Sequence, residues 1–181
     1  MPSRDHRNED SFAAGLRACL PRLYRYATSL CTNRETAADV VQDVVVRALE
    51  RRQAYDPSRP LLPWVLTLVR HAVVDRARSF DPVGRASVLD PSEPGAGGRS
   101  VDPLHSVATA QASARLQAAL EQLPLDQRSA VVLFYLEGMT LDEIASIEDV
   151  AVGTIKSRLH RARVAMAALL DPGWNELSLW N

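Results

Sequence analysis

One short segment, VGTIKSRLHRARVAMAALL (residues 152–170), concentrates the side chains most suited to binding an anion. Its positions 156–163 hold one lysine, three arginines and one histidine, and no acid occurs from Val150 to Leu170. Arginine binds phosphate and guanine edges through two parallel hydrogen bonds. The whole chain has a formal net charge of only −1. The segment therefore predicts a local nucleic-acid contact rather than a generally basic protein.

Helical spacing divides this segment into two faces. One side is apolar and should face a core: Ile155, Leu159, Ala162 and Met166. The other side is polar and cationic, with Lys156, His160 and Arg163 at its flanks: Thr154, Ser157, Arg158 and Arg161. From Val164 onward the helix is apolar nearly all round, which predicts that this end is packed.

The element before the basic helix has the signals of a short capped helix. In TLDEIAS, Thr140 and Glu143 have the spacing of a capping box, and a short turn at EDVAV follows. A capped helix, a tight turn and a basic second helix together predict a helix-turn-helix, whose second helix enters the major groove. A basic face that only aids solubility is the alternative.

The rest of the chain also reads as helical, so the predicted fold class is all-α with two small helical domains and a flexible linker. We expect an N-terminal domain over 1–80, a linker rich in proline and glycine over 81–105, a C-terminal domain over 106–171 and a tail over 172–181. Pro21 predicts a break or a new first turn. Gly138 predicts a left-handed helix end. In the second helix, one apolar face is expected: Val40, Val41, Val44, Val45, Ala48 and Leu49.

Composition argues against several other classes of protein. Cys19 and Cys31 are the only cysteines and form no Cys/His cluster, so we expect no metal site and no cofactor, with both thiols reduced inside helices. No signal peptide precedes the domains and no run of residues is long and apolar enough for membrane insertion, which predicts a cytoplasmic protein. No set of residues forms a catalytic constellation, so we expect no enzyme.

Two blocks of motifs resemble the extracytoplasmic-function (ECF) sigma factors, a branch of the sigma-70 family. The C-terminal block is LPLDQRSAVVLFYLEGMTLDEIA followed by VGTIKSRLHRAR, and the N-terminal block is YRYATSLCTNRETAADVVQDVVVRAL plus PWVLTLVRHAVVDRAR. The resemblance implies an initiation factor that binds bacterial core RNA polymerase, recognises the promoter −10 and −35 elements and melts DNA. It also implies an anti-sigma factor as a regulatory partner.

The resemblance implies a role for individual residues. The contact with the clamp helices of the polymerase β′ subunit would involve Asp39, Gln42, Asp43 and Arg47. The −10 element would be bound by Arg51, Arg52, Tyr55, Arg59, Trp64, Arg70, His71, Arg76 and Arg78. The −35 element would be bound by Thr154, Lys156, Ser157, Arg158 and Arg161. From the residues alone, Trp64 fits a core position equally well, and the helix with Asp39 fits an ordinary amphipathic surface helix.

The sequence departs from the family pattern in the turn of the helix-turn-helix. Glu148 and Asp149 stand where a Leu-Gly pair is usual. Asp tolerates the left-handed backbone less well than Gly does, and we expect Ile147 to take over the packing of the missing leucine. Two alternatives to an initiation factor stay open: a sigma mimic that sequesters an anti-sigma factor, and an ordinary helix-turn-helix regulator.

Overall fold

The computed structural model describes residues 4–80 and 114–170 of the chain. Every regular element in these two ranges is a helix, which confirms the predicted all-α fold class. The proposed linker and the Trp-containing tail lie outside the described residues. We refer to residues 4–80 as the N-terminal unit and to residues 114–170 as the C-terminal unit.

The N-terminal unit contains three long helices whose apolar faces meet in one core. They are α1 (Arg4–Leu30), α2 (Arg34–Glu50) and α3 (Leu61–Phe80), with a short 3₁₀ turn at Arg52–Ala54. Asn33 caps α2, where its side-chain oxygen accepts a hydrogen bond from the Thr36 amide at 2.7 Å. The large side chains of this core that have no exposed surface are Leu23, Tyr26, Val44, Val65, Leu66 and Val69. Burial of these large side chains fixes the three helices relative to one another.

Two expectations about the N-terminal unit are wrong. Pro21 does not end a helix, because α1 runs through it to Leu30. Leu49 was expected on the buried face of α2, but its side chain is 41% exposed, whereas Val40, Val41, Val44 and Ala48 are buried. At 3.6 residues per turn, Leu49 falls past the edge of the stripe centred on Val44.

The C-terminal unit is built from shorter helices. Residues 114–121 form α4, which is followed by α5 (Leu125–Val131), a π-helical turn (Val132–Leu136), α6 (Leu141–Glu148) and α7 (Val152–Leu169). The predicted capping box is present, since the Thr140 hydroxyl accepts from the Glu143 amide while the Glu143 carboxylate accepts from the Thr140 amide. Gly138 has a φ of 67°, as the left-handed helix end requires.

Helix α7 packs as predicted over most of its length. Ile155, Leu159, Ala162 and Met166 are all buried. The expectation that the end of α7 is packed all round is wrong, since Val164 is 61% and Leu169 43% exposed. The domain core lies on one side of the helix only, so apolar residues that point elsewhere stay in contact with water.

The two units pack against each other. Helices α1 and α3 of the N-terminal unit contact α5, the π-helical turn and α6 of the C-terminal unit. In the described ranges, no helix combines the length and the apolar character needed to cross a lipid bilayer.

Candidate nucleic-acid interface

Helices α6 and α7 form the helix-turn-helix, and Asp149 makes the turn between them. Asp149 has φ 52° and ψ 51°, the left-handed conformation that the usual glycine would supply, and it is the one non-glycine residue with positive φ in the described chain. The Val150 amide donates to the Ala145 carbonyl at 3.0 Å and closes the end of α6. Ile147 is 1% exposed and, as expected, takes over the core packing of the leucine that is usual at the next position. The turn therefore keeps its geometry despite the departure from Leu-Gly.

One face of α7 presents polar and cationic groups to solvent. Lys156, Ser157, His160 and Arg161 are exposed, and Thr154 at the helix start is half-buried. The Ser157 hydroxyl donates to the Gly153 carbonyl at 3.0 Å, and the Arg161 Nε donates to the Ser157 carbonyl at 3.3 Å. These bonds stay within the helix. The outer nitrogens of the Arg161 guanidinium, the Lys156 ammonium and the Ser157 hydroxyl oxygen thus remain available to phosphate oxygens or base edges.

Arg158 is placed differently from its neighbours on α7. Its Nη2 donates to Asp126 at 2.8 Å and its Nη1 donates to Glu148 at 3.1 Å, and the side chain is only 14% exposed. Both carboxylates belong to the C-terminal unit. The guanidinium therefore links α7 to the start of α5 and the end of α6. The contact with the −35 element stays a prediction for this residue.

The Glu148 carboxylate is buried and is bound by residues of both units. Its side chain has no exposure, and its Oε2 accepts from Arg70 Nε at 2.9 Å and from Arg158 Nη1 at 3.1 Å. Ser129 donates to the other oxygen, Oε1. The glutamate at this departure from the family pattern is thus fully engaged in charge-assisted hydrogen bonds.

Arg70, a predicted −10 residue, is the contribution of the N-terminal unit to this network. Its side chain is 8% exposed, and it also binds Asp126 through Nη2. Burial on its own would lower the pKa of Arg70, but the interaction with Glu148, followed by smaller ones with Tyr26 and Asp126, holds that pKa above its ordinary value. We name the four side chains Arg70, Asp126, Glu148 and Arg158 the Glu148 network.

A second charged contact between the units surrounds Glu137, at the end of the π-helical turn. Its buried carboxylate accepts from Arg22 Nε at 2.6 Å and from Arg25 Nε at 2.8 Å, both on α1. The bond to Glu137 raises the pKa of Arg25. Between the two charged contacts, the buried hydroxyls of Tyr26 and Ser129 lie 2.6 Å apart in a hydrogen bond. We name Glu137, Arg22 and Arg25 the Glu137 contact.

The predicted −10 aromatics meet in a cluster on the N-terminal unit. The ring centroids of Tyr55 and Trp64 are 5.4 Å apart, and Phe12 lies 5.6 Å from Tyr55 and 6.2 Å from Trp64. The Tyr55 hydroxyl donates to the Arg59 carbonyl at 2.5 Å. Tyr55 and Trp64 are both half-buried. Each ring therefore packs in the fold and keeps part of its surface available to a base.

The other predicted −10 residues are spread over the 3₁₀ turn, the following loop and α3. Arg76 is half-buried and lies 3.4 Å from Asp39, a weak contact that joins it to the predicted polymerase face. The exposed residues of the set are Arg51, Arg52, Arg59, His71 and Arg78. A cleft of about 660 Å³ between the units is lined by Arg70, His71 and Arg78 and, from the other side, by Arg158. The structure thus brings predicted −10 and −35 residues together at one cleft.

The predicted polymerase-binding residues share an exposed face of α2. Asp39, Gln42, Asp43 and Arg47 are all exposed. The exposed side chain of Val46, at 53%, lies among them in sequence. Four polar groups around an apolar side chain are suited to contact with a partner helix.

Sequence reasoning missed the residues that join the two units. Glu137 stood out only as an acid after the apolar run VVLFYL, and nothing local pairs it with Arg22, 115 positions earlier. Asp126 carried only the ordinary signal of an acid in the first turn of a helix. Their partners are set by how the units pack.

Comparison with known proteins gives one consistent result. The family model described as sigma-70 region 2 matches residues 16–81, and the model of sigma-70 region 4 matches residues 113–166. The ECF RNA polymerase sigma factor EcfG of Rhodopseudomonas palustris is 35% identical, over 94% of this chain and 88% of its own length. The sigma factor SigW of Bacillus subtilis is 27% identical, over 88% of each chain.

Solved structures agree with these sequence matches. The sigma factor RpoE of Bartonella quintana, solved in complex with the anti-sigma factor NepR, is 28% identical to this chain with a TM-score of 0.74. The match covers 88% of this chain and 96% of that one, so it includes both units. CnrH, solved with the cytosolic domain of CnrY, has a TM-score of 0.64 at 24% identity and shares the fold.

Proposed function

Because this chain belongs to the extracytoplasmic-function sigma factors, which are RNA polymerase initiation factors of the sigma-70 family, we propose a division of labour among its helices at a promoter. Helix α7 reads the −35 element, the loop before α3 together with α3 binds the −10 element, and α2 docks on core polymerase. The proposal places the protein in the cytoplasm, where the polymerase works. It gives the chain a role in initiation without an enzymatic site of its own.

The exposed cationic face of α7 is the observation that carries this proposal. Lys156, Ser157 and Arg161 stand in solvent on a helix whose opposite side is buried, and a capped helix and a tight left-handed turn precede it. A helix presented in this way can enter the major groove with its first turns. Thr154 at the helix start supports a contact with phosphate.

The −10 contact is proposed for the aromatic cluster and the cations around it. Unpaired bases bind by stacking on exposed aromatic surface, and the free parts of Tyr55 and Trp64 offer such a surface. Arg51, Arg59 and Arg78 are exposed on the same unit and suit phosphate. Arg70 can join them only after it leaves the Glu148 network.

The proposal includes an anti-sigma factor as a partner. The Bartonella quintana relative was solved with such a protein, and its similarity to this chain extends over both units. The cleft and the exposed α2 face are surfaces that such a partner can cover. A sigma mimic would bind the same partner without contacting DNA, so the mimic remains the second candidate.

Run-off transcription with purified core polymerase and a library of promoter fragments tests the proposal. We expect start sites that depend on this protein, and their mapping defines the two elements. Arg161→Ala should reduce initiation at these sites, whereas Arg115→Ala, which removes an exposed arginine of the same unit outside every predicted contact, should not. A complete absence of dependent start sites, together with capture of an anti-sigma factor, would favour the mimic.

Binding to core polymerase alone separates the docking face from the DNA contacts. Asp43→Ala should weaken the complex with core enzyme in the absence of DNA, because it removes a charge from the exposed face of α2. Glu50→Ala is the matched control, since Glu50 is an exposed acid of the same helix outside the predicted set. Equal effects of both substitutions would remove Asp43 from the docking surface.

A further inference from the structure

We propose that Lys156 is a lysine acylation site whose modification weakens binding to the −35 element. Its amine takes an acyl group from a phosphate-bearing acyl donor, and the neutral amide that results no longer attracts a DNA phosphate. The modification itself follows from the chemistry and exposure of this side chain, whereas its effect at a promoter rests on the proposed function.

Lys156 is the one lysine of the chain. The chain has 21 lysine and arginine residues, and all except Lys156 are arginines. A guanidinium stays protonated in proteins and has no free electron pair for attack on a carbonyl carbon. A lysine amine can lose its proton and act as a nucleophile. Stable amide formation at a side chain is therefore confined to position 156.

The structure leaves the Lys156 ammonium accessible. Its side chain is exposed, and among the described residues no hydrogen bond or ion pair engages it. Helix α7 is anchored through the buried side chains of Ile155 and Leu159, so Lys156 projects from the helix into solvent. A small acyl donor can therefore reach the amine without any change in the fold.

The surroundings of Lys156 favour a donor that carries phosphate. No acid occurs from Val150 to Leu170, while His160 and Arg161 are exposed on the same helix. A surface of one charge sign raises the local concentration of ions of the opposite sign. An acyl phosphate brings an anionic group and an activated carbonyl to this surface together. DNA phosphates compete for the same groups, so a bound duplex should protect Lys156.

The reaction is an acyl transfer in which atoms and electrons balance. The ammonium gives one proton to water, and the free amine nitrogen forms a bond to the acyl carbon. The bond from that carbon to the phosphate oxygen breaks. Phosphate leaves with the bonding electrons and takes up the second proton from nitrogen. The product is a neutral amide that has lost the lysine charge.

The two thiols of the chain compete poorly for the acyl group. Burial raises the pKa of Cys19 above its ordinary value, although Arg22 opposes the shift. Burial also raises the pKa of Cys31 to about 11, although Arg76 opposes that shift. The thiolate is the reacting form of cysteine, so little of it is present near neutral pH. Hydroxylamine removes any thioester that does form and leaves an amide intact.

Counterion release sets the size of the expected loss. One phosphate contact contributes a slope of about 0.9 in log K against log salt, which corresponds to a factor of about eight in affinity between 1 M and 0.1 M salt. Acylation of Lys156 should therefore weaken binding to a mapped −35 duplex about eightfold at 0.1 M salt. The salt slope should fall by about 0.9.

Acetylation of the purified full-length protein tests the inference. The protein is incubated with acetyl phosphate, treated with hydroxylamine and analysed by peptide mass spectrometry, which separates Lys156 from the N-terminal amine. Affinity for the −35 duplex is measured before and after treatment. A parallel reaction with acetyl-coenzyme A compares an acyl phosphate with an acyl thioester that also carries phosphate; modification by either supports the site. A reaction with saturating duplex measures protection, and we expect Lys156 to be acetylated more slowly there.

Two variants move the amine away from the proposed site. Lys156→Arg removes it, and Lys156→Arg with Arg115→Lys places it at an exposed position of the same unit outside every predicted contact. Each treated variant is compared with its own untreated sample. The single variant should gain no acetyl group on a side chain, the double variant should gain one at position 115, and neither should lose affinity on treatment. Lys156→Gln should show the reduced affinity and slope without treatment.

Four results would overturn the inference. An unmodified Lys156 after both donors would remove the acylation site. A modified Lys156 with unchanged affinity would show that the amide does not affect binding. An equal loss of affinity in the treated double variant would assign the loss to another position, and an absence of protection by duplex would place Lys156 outside the DNA contact. An absence of start sites with wild-type protein would instead refute the proposed function, while mass spectrometry would still decide whether Lys156 accepts the acyl group.

Discussion

Arg158 and Arg161 are one turn apart on α7, and the structure predicts that their loss affects two different properties, folding stability and DNA affinity. From the sequence both arginines were expected to bind the −35 element. In the structure Arg158 is bound to Asp126 and Glu148 at 2.8 and 3.1 Å, whereas Arg161 is exposed. We therefore expect Arg158→Ala to act on folding stability and Arg161→Ala to act on DNA affinity.

The magnitude for Arg158→Ala follows from the burial of its two partners. A hydrogen bond to a charged group contributes about 1.5–3 kcal/mol when buried, and this applies to Glu148, whose side chain has no exposure. Asp126 is 49% exposed, so solvent screening reduces its pair to about 0–1 kcal/mol. The free energy of unfolding should fall by about 1.5–4 kcal/mol. For a protein of this size that corresponds to a loss of about 3–16 °C in Tm.

Thermal unfolding and duplex binding together distinguish an arginine that stabilises the fold from one that binds DNA. Arg161→Ala should leave the unfolding free energy within about 0.5 kcal/mol of the wild type, yet lower the affinity for a mapped −35 duplex by about 1–3 kcal/mol. Binding is compared well below the Tm of each variant, so that unfolding does not contribute. If Arg158→Ala kept the wild-type Tm and lost −35 specificity as Arg161→Ala does, Arg158 would be a base reader and our reasoning from the network would fail.

The remaining predictions concern the turn, a thiol and the salt dependence of binding. Asp149→Gly should raise the unfolding free energy in urea by up to about 1 kcal/mol, because glycine adopts the left-handed backbone without steric cost; a loss of stability would contradict the turn geometry. Burial raises the pKa of the Cys31 thiol from 9.0 to about 11, with Arg76 opposing the shift, so little thiolate forms at pH 9. Its alkylation at pH 9 should be roughly 50-fold slower than in urea-unfolded protein, and equal rates would refute the burial. Duplex binding should weaken with salt by about 0.9 logarithmic units of slope for each phosphate contacted, and Lys156→Ala should reduce that slope by about one; an unchanged slope would exclude its phosphate contact.

The features that sequence predicted well are local ones. The buried stripe of α7 and the capping box of α6 depend on residues three or four positions apart, so periodicity and side-chain type suffice to locate them. The left-handed turn at Asp149 was not settled by the sequence, because Asp tolerates that backbone less well than the usual Gly; the structure places Asp149 there with φ 52°. Local rules therefore located the two helices of the helix-turn-helix, and the structure supplied the geometry of the turn.

The features that sequence did not predict depend on long-range packing. The π-helical turn at Val132–Leu136 is marked by a bond from the Glu137 amide to the Val132 carbonyl at 3.0 Å, for which no residue pattern is diagnostic. The partners of Glu137 lie more than 110 positions away in α1. The burial of Arg70 had no local signal either, since an arginine on an amphipathic helix normally reaches solvent. Each of these features requires knowledge of how the two units meet.

The two residues that depart from the family pattern in the turn have separate physical consequences. Asp149 preserves the backbone that a glycine would give, so the angle between α6 and α7 does not depend on the missing glycine. Glu148 cannot replace a leucine in an apolar core without partners for its charge. It has those partners because Arg158, Ser129 and Arg70 all donate to it, and only Arg70 comes from the other unit. A leucine at this position would offer no acceptor to Arg70, whereas Glu148 accepts a hydrogen bond from Arg70 Nε at 2.9 Å. The departure therefore ties the turn of the helix-turn-helix to the position of the N-terminal unit.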